Sequence, residues 1–194
     1  MIEMLVTIAI FAILVALGVP TMTTWIRNNK VRTVTDSLQT GLRLAQAESL
    51  RRSRQVVFAL TNSSTPTFIP LPAVAGGTSW AIWTLPSMVG EAPTFIQSGV
   101  LSNVSAQVTI ATTNNISTVC FNSVGRLVAN SSANVTLITG GDNCVQPPGA
   151  PPVLRFDVNV AGADRPLAVN LGLGGQVHMC DPGVALSAQF PQGC

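Results

Sequence analysis

The sequence predicts an α+β protein: one long N-terminal α-helix, half transmembrane and half amphipathic, packed on a β-rich globular head. Three observations predict it. Of the 194 residues, 47% are apolar and only 9% charged, against about 25% charged in an average soluble chain. The charges are unevenly placed. Residues 1–26 carry Glu3 alone, residues 27–54 carry seven basic and two acidic residues, and residues 55–194 carry three arginines and five acids. Helical periodicity stops near residue 54, where short β-type runs broken by Gly and Pro begin. The predicted units are therefore 1–26, 27–54 and 55–194. A charge-driven disordered chain is excluded, since that needs low hydrophobicity and high net charge. A net charge of +2 is too mild to indicate a nucleic-acid partner by itself.

The first unit reads as a membrane segment. Residues 4–19 (MLVTIAIFAILVALGV) contain Thr7 as their one polar side chain. As a helix they reach about 24 Å, short of the roughly 30 Å hydrocarbon core. Continuing past Pro20 to Trp25 supplies the missing length, and Trp25 suits the membrane interface. A cleaved signal peptide or a buried core helix has a similar composition, but the basic start of a signal peptide is missing and Glu3 stands in its place. A carboxylate at the edge of a membrane helix is costly, so it either rests in the headgroup layer or has a partner.

The second unit continues the helix. Residues 22–54 contain no Pro and one Gly. Val31, Val34, Leu38, Leu42 and Ala45 form one stripe at helical spacing, and Gly41 on the same side permits close approach. Glu48 precedes Arg52 by four, the favourable order for a helix pair. Arg51, Arg52 and Arg54 complement a helix C-terminus. The two units together predict a helix of about fifty residues, roughly 75 Å long. The basic run reads as a solvated helix face near anionic lipid rather than a nucleic-acid surface.

The third unit reads as strands at residues 55–60, 79–85, 104–111, 117–121, 134–139, 154–160 and 167–171. Pro66, Pro70, Pro72, Gly76 and Gly77 mark a loop, and Gly125-Arg126, Gly140-Gly141 and Gly174-Gly175 mark turns. Pro147, Pro148, Pro151 and Pro152 make an irregular, polyproline-like connection.

Cys120, Cys144, Cys180 and Cys194 all lie in this unit, and an even count after a membrane anchor points to disulfides in an oxidising compartment. Four cysteines allow three pairings, of which Cys120–Cys144 and Cys180–Cys194 close the shortest loops. The positive-inside rule pulls the other way, since basic residues follow the apolar run. No metal is expected: there is no C-x-x-C, and His178 is the single histidine. That histidine has no identifiable catalytic partner, and no phosphate-binding or dinucleotide motif occurs. The chain is expected to be no enzyme and to use no cofactor.

The N-terminal residues Met1-Ile2-Glu3-Met4-Leu5-Val6-Thr7-Ile8-Ala9-Ile10 resemble the start of type IV pilins. The run Asn28-Asn29-Lys30-Val31-Arg32, then Ser37-Leu38-Gln39-Thr40-Gly41-Leu42-Arg43-Leu44-Ala45-Gln46-Ala47-Glu48, is similar to the FimT/GspH family of minor pilins and pseudopilins. Cys120-Phe121-Asn122-Ser123-Val124-Gly125-Arg126 resembles that family's central strand-turn, and Gly175-Gln176-Val177-His178-Met179-Cys180 its C-terminal hairpin.

The resemblance implies a pilin-like fold, a leader cut by a prepilin peptidase, N-methylation and storage in the bacterial inner membrane with the head in the periplasm. It then implies extraction into a pilus or pseudopilus, with other pilins and the inner-membrane assembly platform as partners. On this alignment Met1 stands at the third mature position, and a leader is expected upstream. Glu3 matches the family carboxylate that neutralises a neighbouring subunit's amine, and an acid in an apolar bundle needs such a cation. The implied function is a non-catalytic minor pilin that joins or primes type IV pilus assembly. A GspH-like pseudopilin of a type II secretion system is the alternative. A third reading is a pilus-associated subunit that binds DNA for uptake. In the family this is linked to a basic Gly-Arg-x-Arg motif. Here Gln176 and His178 replace both arginines, and the phosphate attraction is lost with them. A DNA or anion contact would be sought at Arg126, Arg155, Arg165, Gln176 and His178.

Overall fold

The fold is a computed structural model that describes residues 2–67, 71–86, 88, 91–128, 138–139 and 153–194. Helix α1 (Ile2–Arg52) is 51 residues long and runs unbroken past Pro20. All five residues of the predicted stripe, Val31 through Ala45, are fully buried, whereas Leu5, Ile8, Phe11 and Leu14 of the first half are exposed. The helix ends in a Schellman motif. Ser53 takes a left-handed φ of 50°, its N–H donates to the Leu50 carbonyl, and the Arg54 N–H donates to the Ser49 carbonyl.

Two four-stranded antiparallel sheets flank the second half of α1. The first comprises β1 (Val56–Thr61), β3 (Ser79–Thr84), β4 (Thr94–Val100) and β6 (Thr118–Phe121), in the order β4-β3-β1-β6. The second comprises β5 (Val108–Thr112), β8 (Val153–Val160), β9 (Leu167–Gly172) and β10 (Val177–Cys180), in the order β10-β9-β8-β5. The short β2 (Leu71–Pro72) pairs in parallel with β7 (Ile138–Thr139).

The main core lies where the helix stripe meets the inner faces of both sheets. It contains Phe58, Trp80, Ile82, Phe156, Val158, Val169 and Leu171. Phe58 stacks on Trp80 at 5.7 Å and meets Phe156 edge-on at 6.5 Å. Gly41 is where this core comes closest to the helix backbone: a Cβ there would stand 3.0 Å from Phe58 and 3.1 Å from Trp80. Strands β1, β3 and β6 of the first sheet are buried on both faces, because the alternate residues Val57, Ala59, Ala81 and Trp83 enter a second cluster with Leu71 and Ala73. In the second sheet the alternation divides core from surface: Leu154, Phe156, Val158 and Val160 are buried, while Arg155, Asp157 and Asn159 face outward.

Three strand expectations need correction. Strand β4 was not predicted. It is a half-exposed edge strand without clean polar alternation, and its Gly99 is required where the Trp80 ring lies close against the backbone. Residues 104–107 are not strand: they follow a 3-10 turn (Leu101–Asn103), and pairing begins at Val108. The predicted loop at 66–77 contains β2. The predicted strand at 134–139 is described only at Ile138–Thr139. Cys144, the Gly140-Gly141 turn and the proline-rich connection lie outside the described residues.

Candidate assembly surface and helix neck

The first half of α1 leaves the head as a free helix. It is long and apolar enough to cross a membrane, and Glu3 stands exposed in its first turn. Its carboxylate has no cation from the same chain within salt-bridge distance among the described residues.

The helix is gripped where it enters the head. The Asn28 Oδ1 accepts hydrogen bonds from the backbone N–H groups of Asp164 (3.0 Å) and Arg165 (3.3 Å) in the β8–β9 loop. Beside it, Arg27 Nη1 donates to the Gly162 carbonyl at 3.4 Å. Gly162 has φ +75°, a left-handed conformation that favours glycine, and the Arg27 guanidinium lies close over it. A groove of about 810 Å³ opens at this neck, lined among others by Thr21, Trp25, Asn28, Arg32, Arg165 and Asp181.

Further along the helix, Arg43 Nη2 donates at 3.0 Å to the Val177 carbonyl on β10, which is an edge strand. Gln46 Nε2 donates at 3.0 Å to the Gly125 carbonyl. Near the helix end, Glu48 accepts from Arg51 Nε (2.9 Å) and Nη2 (2.7 Å) and from Arg52 Nε (2.7 Å). Those hydrogen bonds hold its carboxyl below the usual carboxylate range. Arg54 pairs with Glu91. The basic run was expected to be a solvated face. Arg27, Arg32, Arg43 and Arg51 are exposed, as that reading has it, while Lys30, Arg52 and Arg54 are half-buried, and Arg27 and Arg43 also reach backbone carbonyls of the head.

The residues considered for an anion contact are only partly brought together. The register opposes Arg155 to Asn170 and Asn170 to His178, so Arg155 and His178 share the outer face of the second sheet. Arg155 is already ion-paired with Asp157 at 2.6 Å. The Gln176 side chain folds back over the turn at Gly174, where a Cβ would lie 2.8 Å from its Oε1. Arg165 sits at the neck groove. Arg126 is exposed in the turn held by Asn122, whose Oδ1 accepts its N–H at 2.9 Å. That turn packs against Gln46, eighteen residues and about 27 Å of helix from Asn28.

Cys180 and Cys194 form a disulfide with Cα atoms 5.2 Å apart. Cys120 is also disulfide-bonded. No group of three His, Cys, Asp or Glu able to hold a metal occurs among the described residues.

Sequence reasoning missed the neck contacts of Asn28 with Asp164 and Arg165 and of Arg27 with Gly162, and the Gln46–Gly125 bond. An isolated Asn, Gln or Gly carries no periodic signal, and their partners lie 79 to 137 residues away.

A long helix, half projecting and half packed on antiparallel sheets, defines a type IV pilin-like subunit. The profile of the family described as "Type II transport protein GspH" matches residues 34–165, and the chain belongs to that family. Among solved structures, it is similar to the type IV minor pilin FimU of Pseudomonas aeruginosa. The identity is 14% and the TM-score 0.53, over 79% of this chain and 93% of that one. The minor pseudopilin EpsH from the Type 2 Secretion System of Vibrio cholerae aligns at 9% identity and TM-score 0.47, over 80% and 99% of the two chains. E. coli GspH aligns at 10% identity and TM-score 0.47, over 80% and 91%. No curated protein matches the sequence.

Proposed function

We propose that this chain is a non-catalytic minor pilin. The apolar half of α1 holds it in the bacterial inner membrane, with the head in the periplasm, before it joins or primes a type IV pilus. One observation carries the reading: in a chain of the GspH family, an exposed apolar half-helix continues without a break into a half-helix that packs one buried stripe on the head. Such a helix fits a bilayer first and a bundle of like helices afterwards. Glu3 is the assembly carboxylate, seeking a cation on a neighbouring subunit once the apolar segment leaves the membrane. Other pilins and the inner-membrane assembly platform are the partners.

A second reading, a pseudopilin of a type II secretion system, is favoured by the description of the matching family. The third, a DNA-binding pilus subunit, has Arg155 and His178 on one face as its support. The test is capture of the full-length chain from cross-linked membranes. Recovery with pilus subunits supports the first reading, recovery with secretion-system subunits the second, and recovery with neither sinks both. A gel-shift with duplex DNA at low and high salt tests the third.

A further inference from the structure

The loop that the Cys180–Cys194 disulfide closes can be placed along the helix from contacts and register. Gly175 packs against Gln46, and Leu167 shares the neck groove with Asn28. The helix rises about 27 Å between Asn28 and Gln46, and β9 (Leu167–Gly172) covers about 17 Å of that distance before the turn that ends at Gly175. Strand β9 therefore runs alongside α1, away from the neck. Strand β10 returns: Val177 accepts from Arg43, Cys180 pairs with Ala168, and Asp181 enters the groove with Thr21 and Trp25. The closed loop thus leaves the head at the end from which the apolar half of α1 emerges.

Residues 182–193 contain no ionisable side chain. At the tip Ser187 and Phe190 exchange backbone hydrogen bonds of 3.3 and 3.1 Å, making a tight turn. Its flanks Leu186 and Phe190 are 65% and 48% exposed, and Trp25 on the neck is 63% exposed. Arg27, Lys30, Arg32 and Arg165 lie at the same end, against Asp164 and Asp181. Exposed apolar and aromatic side chains among an excess of basic ones match the interfacial layer of an anionic bilayer.

We propose that this disulfide-closed loop is a second membrane-contact element. While α1 anchors the chain, Leu186 and Phe190 enter the interfacial layer of the anionic bilayer beside Trp25, and so set how the head lies on the membrane. The inference rests on the membrane anchoring proposed above. The occupant is the lipid surface, since the contact is continuous with the apolar helix and complementary to it in charge.

The experiment uses the full chain in vesicles of phosphatidylethanolamine and phosphatidylglycerol, with phosphatidylcholine vesicles for comparison. Phe190→p-benzoylphenylalanine places a photo-cross-linker at the loop, and Val124→p-benzoylphenylalanine places one at the exposed far end of the head. Lipid adducts are expected at position 190 at about five times the yield at 124, falling several-fold in phosphatidylcholine. Adducts to a second copy of the chain in place of lipid would make the loop a subunit contact and overturn the proposal. Equal yields at 190 and 124 in vesicles that carry the chain on flotation overturn it as well. A chain that fails to float with the vesicles overturns the anchoring itself, and the loop contact with it.

Discussion

The side-chain amide of Gln46 donates a 3.0 Å hydrogen bond to the carbonyl of Gly125, and Gly175 fits against both residues. Gly125 belongs to the turn after β6 of the first sheet, and Gly175 to the turn before β10 of the second. Close by, the Leu127 N–H donates to the Leu173 carbonyl at 3.1 Å. Helix and both sheets therefore meet at one point. Gly175 has φ +87° and no room for a side chain. Gly175→Ala is expected to cost at least about 1–3 kcal/mol from backbone strain, with the collision added. Gln46→Ala is expected to cost about 1–3 kcal/mol, because it strands a carbonyl. Thermal melts of the detergent-solubilised chain check both.

Leu42 and Leu14 sit on the same helix with opposite surroundings, the first fully buried and the second 63% exposed. Leu42→Ala is expected to cost about 2–5 kcal/mol of head stability. Leu14→Ala is expected to leave the head's melting temperature unchanged. Equal effects of the two would contradict the division of α1 into a packed and a projecting half.

Glu48 makes the helix end sensitive to acid. Its folded-state pKa is lowered below the ordinary value of 4.5, first by the Arg51 and then by the Arg52 hydrogen bond. The stabilisation is therefore fully present above about pH 4.5 and is lost as pH falls through the lower, folded-state value. The effect is a few degrees at most, since Arg51 is largely in solvent and the pair is screened. Glu48→Gln is expected to flatten the fall of melting temperature with acid below that point. An unchanged slope would show that other carboxylates carry it.

Removing the Cys180–Cys194 bridge with Cys180→Ser and Cys194→Ser is expected to cost about 3 kcal/mol, from the entropy of a short closed loop. Differential scanning fluorimetry reads this directly. Intact mass under non-reducing conditions is expected to show no free thiol anywhere in the chain, Cys144 included.

Glu3→Val removes the one charge of the apolar half. The variant is expected to remain in the membrane fraction and to be lost from sheared, purified fibres. Fibres that contain it at the wild-type level would show that the carboxylate plays no part in assembly.

The helix was legible from sequence almost to its last residue. A 3.6-residue period is a local property, and the stripe from Val31 to Ala45 is repeated often enough to be unambiguous. Strands with regular alternation, such as β8, were also legible. Strand β4 was not, because a half-exposed edge strand has no face it must keep apolar. Among the candidate residues, sequence could nominate Arg126, Arg155 and Arg165 but could not tell that they stand at different places on the head, or that Arg155 is already paired with Asp157.

By itself, then, the sequence determined a long helix that changes character near residue 27, a β-rich head and four cysteines confined to it. Each follows from composition or from a short repeating pattern. Tertiary structure alone decided which strands share a sheet, that Arg43 and Gln46 reach carbonyls of the head, and that the Cys180–Cys194 loop lies at the neck. These depend on single hydrogen bonds and close approaches between residues up to 137 positions apart. Such pairs leave no mark on their own neighbourhoods, and only the packing of α1 between two sheets brings them within reach.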